Sequence, residues 1–189
     1  MRTVSLVFSS LVFAALTLLP VAGCSEHPIS PVTSYGKSAI NAQVAEALAE
    51  FKASSPAVAQ QIAHAYGYAV LPSVGAGALV FGAAEGRGEL FRQGQLVGYV
   101  RMTQGTFGAQ IGGQSFRELI LFQNAAALQD FKIGAVSFDA RATAVAIKAG
   151  SGTASNYEHG LVVYAKPTAG LMAQAAIGGQ QFTVAPLEQ

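Results

Sequence analysis

The stretch GTFGAQIGG (residues 105–113) and the apolar segment FRELILF (residues 116–122) decide the fold class of this 189-residue chain. The first is dominated by glycine and small residues without helical periodicity, and the second is typical of a buried strand. Glycines inside strands mark bends, bulges or close backbone contacts. Asn124 then has the residue type of an N-cap for a short helix over Ala125–Phe131. Because glycine stays frequent from Tyr66 onward, most of the chain predicts a β-sheet with bent strands.

Further strands are predicted on both sides of this stretch. A polar turn at residues 92–95 lies between two apolar segments and indicates a hairpin. The segment Val136–Ala144 alternates between apolar and polar residues, which is typical of a half-buried antiparallel strand. The uncharged run Tyr68–Ala84 is broken by proline and glycine, so it predicts core strands and not a membrane helix. The other predicted strands are Tyr68–Leu71, ended by Pro72, and Gly160–Lys166 and Gly170–Ile177, separated by a turn at Pro167.

Two helices are predicted before the sheet. The segment Ser38–Lys52 carries an apolar stripe at spacings of four, four and three residues. The stripe consists of Ile40, Val44, Leu48 and Phe51. Ser55 as N-cap and Pro56 at the first helical position start a second helix that runs to about Ala65. The predicted fold class is therefore α+β, with N-terminal amphipathic helices followed by a glycine-rich, curved antiparallel β-sheet or barrel-like core.

The first 24 residues predict export and lipid attachment. Arg2 precedes an uncharged run, residues 3–23, and small residues stand before Cys24 as at a signal-peptide cleavage site. The string Val21-Ala22-Gly23-Cys24 resembles a bacterial lipobox. That resemblance implies cleavage before Cys24, a diacylglyceryl group on its thiol and an acyl chain such as palmitate on the new amine. The run is also long enough, at about 20 residues, to span a bilayer as an uncut helix.

The chain then divides into three parts. These are a signal peptide (residues 1–23), the lipidated cysteine with a polar, proline-broken tether (residues 24–36) and one folded domain (residues 37–185). Ser25 occupies the position where an aspartate often retains lipoproteins in the inner membrane. The expected location is therefore the cell envelope, on the inner leaflet of the outer membrane, facing the periplasm.

The apolar stripe of the first helix has two interpretations. An amphipathic helix that follows a lipid anchor can lie on the membrane, or it can cover the core of its own domain. Glu46 and Glu50 face an anionic surface poorly, which favours core packing. The stripe is kept as a candidate membrane-contacting face beside that interpretation.

Composition excludes one class of partner. The chain has 11 Lys+Arg and 10 Asp+Glu, and the loss of Arg2 with the signal peptide makes the two equal. A neutral mature chain has no basic excess with which to bind nucleic acid by bulk electrostatics. The single cysteine is used for lipid, so no disulfide is expected and the core alone must stabilise the fold.

The sequence contains no pattern that is specific for catalysis or metal binding. His27, His64 and His159 are scattered and have no carboxylate partner at metal-ligand spacing. The chain has no G-x-S-x-G pattern, and the spacing Ser34-Tyr35-Gly36-Lys37 is not interpreted as a catalytic Ser-x-x-Lys constellation. Glu85 and Glu89 are interpreted as a solvated strand face. No enzymatic activity, cofactor or metal is expected, and an enzyme of unrecognised type remains one alternative.

The glycine-rich stretch belongs to a larger pattern that resembles the SYLF domain, a lipid-binding module first named from eukaryotic actin-patch and phosphoinositide-binding proteins. The pattern consists of residues 105–113, 116–122, Asn124, Ala127, Leu128 and Phe131. Other elements agree in order: Leu71-Pro72, Gly86-Arg87-Gly88, Tyr164, Lys166, Gly170-Leu171 and Gly178-Gly179. The resemblance covers about residues 40–182 and implies phospholipid binding, in a domain that bacteria also carry as lipoproteins.

The predicted function is therefore that of a membrane-anchored periplasmic lipoprotein with a non-enzymatic phospholipid-binding domain. The alternative is an envelope structural or interaction protein that binds a protein partner and not lipid. Actin is not an expected partner. Residues 97–104 lack the Trp-Ser-x-Pro element of eukaryotic members, and only Lys37 and Lys52 are basic in the first helix.

Overall fold

The computed structural model describes residues 34–78, 81–134, 138–139, 144–146 and 156–187. Cys24 and most of the tether lie outside these residues, as does most of the strand expected at 136–144. Within the described residues the chain forms α1 (Ser34–Ser54), α2 (Pro56–His64), β1 (Gly67–Ala78), β2 (Phe81–Arg92), β3 (Gln95–Phe122), α3 (Ala125–Lys132), β4 (Phe138–Asp139), β5 (Ala144–Ala146) and β6 (Leu161–Pro186). The predicted α+β class is confirmed.

Two helices begin at the caps that the sequence predicted. The Ser55 side chain accepts a hydrogen bond of 3.2 Å from the Ala57 amide, with Pro56 at the first position of α2. The Asn124 side chain accepts one of 3.0 Å from the Ala127 amide at the start of α3. Each cap satisfies a backbone donor that has no partner within its helix.

The strands form one sheet with the order β1-β2-β3-β6-β4. Pairings are antiparallel, except that β5 pairs parallel with β6. The long strand β3 pairs with β2 through its first half and with β1 through its second half. Strand β1 is paired on both edges, with β2 and with the second half of β3. No pairing joins β4 to β5 or to β1 among the described strands, so the sheet is not closed.

Pro72 does not end the first strand, contrary to the sequence prediction. Strand β1 continues to Ala78, and its register with β2 shifts between Val70 and Ser73. At this bulge two residues of β1 lie opposite Gly88, so the missing amide of the proline interrupts no regular ladder. A Cβ atom on Gly88 would lie 2.0 Å from the Val70 carbonyl oxygen, which explains the glycine.

Pro167 likewise lies inside a strand. The two strands expected at 160–166 and 170–177 form the single strand β6, which pairs along β3 from Phe122 to Gly98. The register shifts between Ser115 and Phe116, next to the proline. A bulge again accommodates a residue without an amide donor.

The predicted hairpin at residues 92–95 is confirmed. Strand β2 ends at Arg92 and β3 starts at Gln95. Gln93 and Gly94, the two turn residues, have φ angles of 50° and 78°. Two positive φ values in a two-residue loop are typical of a type I′ turn, whose twist matches that of the flanking strands.

The sheet has a core on each face. The first core lies between the sheet and α3, and the second lies between the sheet and the pair α1 and α2. Within β3, Ile120 and Phe122 belong to the first core, whereas Leu119 and Leu121 belong to the second. Strands that are apolar on both faces explain why residues 116–122 form an almost continuous apolar run.

Candidate functional site

The apolar stripe of α1 lies against the sheet. Val44 and Phe51 are buried in the second core, and Ile40 and Leu48 pack against it. Core packing, which the sequence favoured, is therefore the arrangement in the structure. This face is covered by the sheet and is not presented to a membrane.

Ion pairs join α1 to the sheet. Arg117 of β3 places Nη2 3.0 Å from Oε1 of Glu46 and Nη1 2.8 Å from Oε1 of Glu50. Lys166 of β6 donates a hydrogen bond of 2.8 Å to Oε2 of Glu50. That hydrogen bond, with the charges of Arg117 and Lys166, holds the pKa of Glu50 below its ordinary value against the effect of desolvation. The helix therefore neutralises two cations of the sheet.

Three segments of the sheet contain no charged residue of their own, and Asp139 of β4 pairs with Gly179 beside them. Residues 74–84, 102–116 and 167–182 contain no aspartate, glutamate, lysine, arginine or histidine. We call these three segments the uncharged end. They belong to the β1–β2 hairpin, to the middle of β3 and to β6.

Strand register brings the three segments together. Ala78 at the end of β1 pairs with Gly112 of β3, and Gly112 pairs with Met172 of β6. Phe81 at the start of β2 pairs with Phe107 of β3. The tip of the hairpin and the middle parts of two long strands therefore form one end of the sheet.

The side chain of Phe81, at the start of β2, is exposed to solvent at this end. It is 74% exposed, the highest exposure of a large apolar side chain among the described residues. In the sequence it follows Leu79 and Val80, which lie outside the described residues. A single exposed apolar side chain is common on protein surfaces, but Phe81 lies at a hairpin tip between segments that carry no charge of their own. Phe81 is for this reason the first candidate for contact with a membrane or a protein.

Charged residues begin again a short distance from the tip. Oε1 of Glu85 in β2 lies 3.0 Å from Nη2 of Arg101 and 3.6 Å from Nη2 of Arg87. The strand advances about 13 Å from Phe81 to Glu85, at about 3.3 Å per residue. The hydrocarbon of one leaflet is about 15 Å thick, half of a core of about 30 Å. The uncharged end is thus comparable in depth with one leaflet.

A buried carboxyl group lies beside the uncharged end. Glu118 of β3 is 1% exposed. Gln180 Nε2 donates hydrogen bonds of 3.3 Å to Glu118 Oε2 and 3.4 Å to Gln104 Oε1. Glu118 Oε1 has no hydrogen-bond partner among the described residues. Burial raises the pKa of Glu118 to about 7, and the hydrogen bond from Gln180 opposes this effect.

A groove of about 450 Å³ adjoins these two glutamines. Its lining residues are Thr103, Gln104, Gly105, Gly179, Gln180 and Gln181. The groove presents amides and backbone but no nucleophile with an adjacent base, which acyl transfer would require. Chemically, Glu118 can hold a proton near neutral pH and can orient Gln180.

Sequence reasoning missed Phe81 and Glu118. Phe81 lies in an uncharged run that was interpreted as buried strand throughout. Glu118 shares its face of β3 with Ile120 and Phe122, so strand alternation would have indicated an inward carboxyl group. That signal was weak because Arg117 and Leu119, its neighbours on the other face, do not show a polar face opposite an apolar one.

The expectation of a solvated strand face is wrong for Glu89. Glu85 is exposed and forms ion pairs, but Glu89 is buried, and burial raises its pKa. Glu89 pairs with Val70 on one side and with Tyr99 on the other, because β2 lies between two other strands.

The described part of the chain has neither a membrane-spanning helix nor a cluster of metal-binding side chains. None of its helices combines the length and hydropathy of a membrane-spanning helix. Its His, Cys, Asp and Glu side chains include no cluster of three that could hold a metal ion.

The chain matches no protein-family model, and no curated protein is significantly similar to it. The geometry of the described residues therefore carries the functional argument.

Proposed function

We propose that this chain is a membrane-anchored lipoprotein whose SYLF-like domain binds phospholipid without catalysis, through the uncharged end of its sheet. The observation that carries the proposal is the exposure of Phe81, 74%, at a hairpin tip that belongs to this end. Transfer of a phenylalanine side chain from water to an apolar environment contributes about 1.5–3 kcal/mol. Phenylalanine is also one of the residues with which interfacial segments enter the boundary between headgroups and acyl chains.

The distribution of charge supports shallow insertion. Charged residues resume at Glu85 of β2, at Arg101 and Arg117 of β3 and at Lys166 of β6, and Asp139 of β4 lies opposite Gly179 at the edge of this end. Charged groups are costly inside hydrocarbon, so this boundary limits the depth that the end can reach. The glutamines of the uncharged end, such as Gln104 and Gln180, suit the headgroup region better than the acyl chains.

Strong curvature of the sheet is part of the proposal. Strands β1 and β2 are antiparallel to each other, and β3 pairs antiparallel with both. The two halves of β3 must therefore run in opposite directions, which supports a bend near residues 107–112. Such a bend would fold β3 and β6 around the hairpin tip and give a compact, barrel-like end.

The anchor completes the proposal. Lipid on Cys24 would hold the domain on the inner leaflet of the outer membrane, facing the periplasm. Two acyl chains or more bind stably, whereas a single chain binds only marginally. The tether, residues 25–36, reaches at most about 40 Å when extended. Either end of the domain could then meet the membrane, and exposed Phe81 favours the uncharged end.

Co-sedimentation of residues 25–189 with vesicles of bacterial phospholipids, at low and physiological salt, tests the proposal. We expect the unlipidated protein to bind at both salt concentrations. Phe81→Ser should reduce vesicle partitioning about tenfold, as expected for the loss of about 1.4 kcal/mol or more. Ile133→Ser is the matched control, because Ile133 is also exposed, at 66%, but lies outside the uncharged end.

Two results would contradict the proposal. Absence of vesicle binding at either salt would leave Cys24 as the only membrane contact. It would favour the alternative of a protein partner, to be sought by crosslinking in the envelope. Equal binding of the wild type and Phe81→Ser would remove the uncharged end as the contact surface.

A further inference from the structure

A second cavity lies at the opposite end of the β1–β2 hairpin. It has a volume of about 220 Å³, and its lining residues are Tyr66, Arg92, Val97, Ala125, Leu128, Gln129 and Lys132. Arg92 is the last residue of β2 and Phe81 is the first, so about 35 Å of strand separates the cavity from Phe81. The cavity is therefore far from the surface proposed for membrane contact.

Arg92 of β2 and Lys132 of α3, the two cations of this cavity, differ in their ion pairing from the other cations on the strands. Arg87, Arg101, Arg117 and Lys166 each lie within 4.0 Å of a glutamate oxygen. Neither Arg92 nor Lys132 has such an ion pair among the described residues, and no carboxylate lines the cavity. In a chain with almost equal numbers of acidic and basic residues, two unpaired cations at one cavity are a local excess of positive charge.

We propose that this cavity binds a small phosphomonoester. A phosphomonoester carries a charge of about −1.5 to −2 at neutral pH, which two cationic side chains can balance. The planar guanidinium of Arg92 can donate two parallel hydrogen bonds to phosphate oxygens, and the ammonium of Lys132 supplies a compact charge. Val97 and Leu128 offer an apolar wall for a short carbon chain. Tyr66 and Gln129 offer polar groups for its hydroxyls.

The distance from Phe81 favours a soluble ligand over a lipid headgroup. If the uncharged end contacts the membrane, the cavity faces away from that membrane. If it does not, the cavity still requires only a phosphomonoester of a size that fits 220 Å³. The phosphomonoester chemistry is therefore independent of the proposed phospholipid contact, whereas the preference for a soluble ligand rests on it.

Calorimetric titration of the full chain in a nonionic detergent tests this inference. The probes are inorganic phosphate and glycerol phosphate, with glycerol as the neutral comparison. We expect saturable binding of both phosphates and none of glycerol. Arg92→Gln and Lys132→Gln should each weaken binding about tenfold or more, as for loss of a hydrogen bond between charged groups. Lys52→Gln is the matched control, since Lys52 is an exposed lysine outside the cavity and should bind as the wild type does.

Both variants replace exposed side chains, so circular dichroism should show the same fold in all proteins. Absence of saturable binding to the wild type would overturn the proposal. An equal loss in Lys52→Gln would also overturn it, because the effect would then be one of net charge. Co-sedimentation of residues 25–189, without detergent, with vesicles that contain phosphatidic acid distinguishes the sources of phosphate. Loss of vesicle binding in the two cavity variants, without any binding of glycerol phosphate, would overturn a soluble ligand in favour of a lipid headgroup.

Discussion

Two of the apolar regions of the sheet, the face beneath α1 and α2 and the uncharged end, differ in what covers them. The face beneath α1 and α2 is closed by packed side chains, among them Val44 and Phe51, and its cations are paired with Glu46 and Glu50. The uncharged end has no charged residue, and Phe81 stands exposed at its hairpin tip. A covered apolar face is explained by stability, whereas an exposed one calls for a contact outside the domain.

The two regions also differ in the sequence patterns that mark them. An amphipathic stripe attracts attention as a membrane face, but here it is the buried part of a helix. The uncharged end has no periodic signal, yet it contains the apolar side chain that solvent reaches. In this domain, exposure in the folded structure distinguishes the two regions better than hydrophobic periodicity does.

The largest expected effect comes from replacing one phenylalanine in each region. Phe51→Ala should lower the free energy of unfolding by about 3–5 kcal/mol, because it removes a fully buried ring and leaves a cavity. Phe81→Ala should change it by less than about 0.5 kcal/mol, as for other exposed positions. Urea denaturation of residues 25–189 measures both values. Similar losses in the two variants would contradict the distinction between the regions.

The next effect concerns Glu118, whose amide partner, Gln180, belongs to the uncharged end. Burial raises its pKa from 4.5 to about 7, so the native state binds the proton more tightly than the unfolded chain. The contribution of Glu118 to stability is therefore fully present below about pH 4.5 and is lost as the pH rises to about 7. The loss is on the order of 3 kcal/mol, at about 1.4 kcal/mol per pKa unit.

Glu118→Gln keeps the size of the side chain and removes the titration. We expect this variant to be more stable than the wild type at pH 8 and to lose less stability between pH 5 and pH 8. Urea denaturation across that range measures the difference between the two proteins. Glu50, whose pKa is lowered, acts in the opposite sense and loses its contribution only as the pH falls below its ordinary range. A wild type that gains stability relative to the variant as the pH rises would contradict the assignment.

The smallest effect compares two ion-paired arginines. The Arg117 side chain is 17% exposed and contacts both Glu46 and Glu50, whereas Arg101 is 56% exposed and contacts Glu85. Arg117→Gln should cost about 1–2 kcal/mol, between the values for exposed and buried pairs. Arg101→Gln should cost less than about 0.5 kcal/mol. Thermal unfolding at low and high salt checks this order, and equal costs would show that Arg117 does not hold α1 on the sheet.

Local features were predictable to the extent that neighbouring residues decide them. The caps at Ser55 and Asn124 were predicted because a side-chain oxygen accepts from an amide only two or three residues away. The hairpin around Gln93 and Gly94 was predicted because a short polar segment with glycine between two apolar segments favours a tight turn. Pro72 and Pro167 were misinterpreted, because a distant strand can absorb a proline through a bulge.

Local sequence patterns were enough to predict the α+β class, the starts of α2 and α3, the hairpin at residues 92–95 and the face of α1 that packs inward, whereas α1 begins at Ser34, before the predicted Ser38. The sequence also predicts the lipid anchor at Cys24, which lies outside the described residues. The burial of Glu118 and Glu89 became visible only in the folded structure. The same is true of the ion pairs of Arg117 with two glutamates and of the pairing that joins three distant segments into the uncharged end. The reason is that strand register and layer packing join residues far apart in the chain, and no local pattern encodes which pairs will meet.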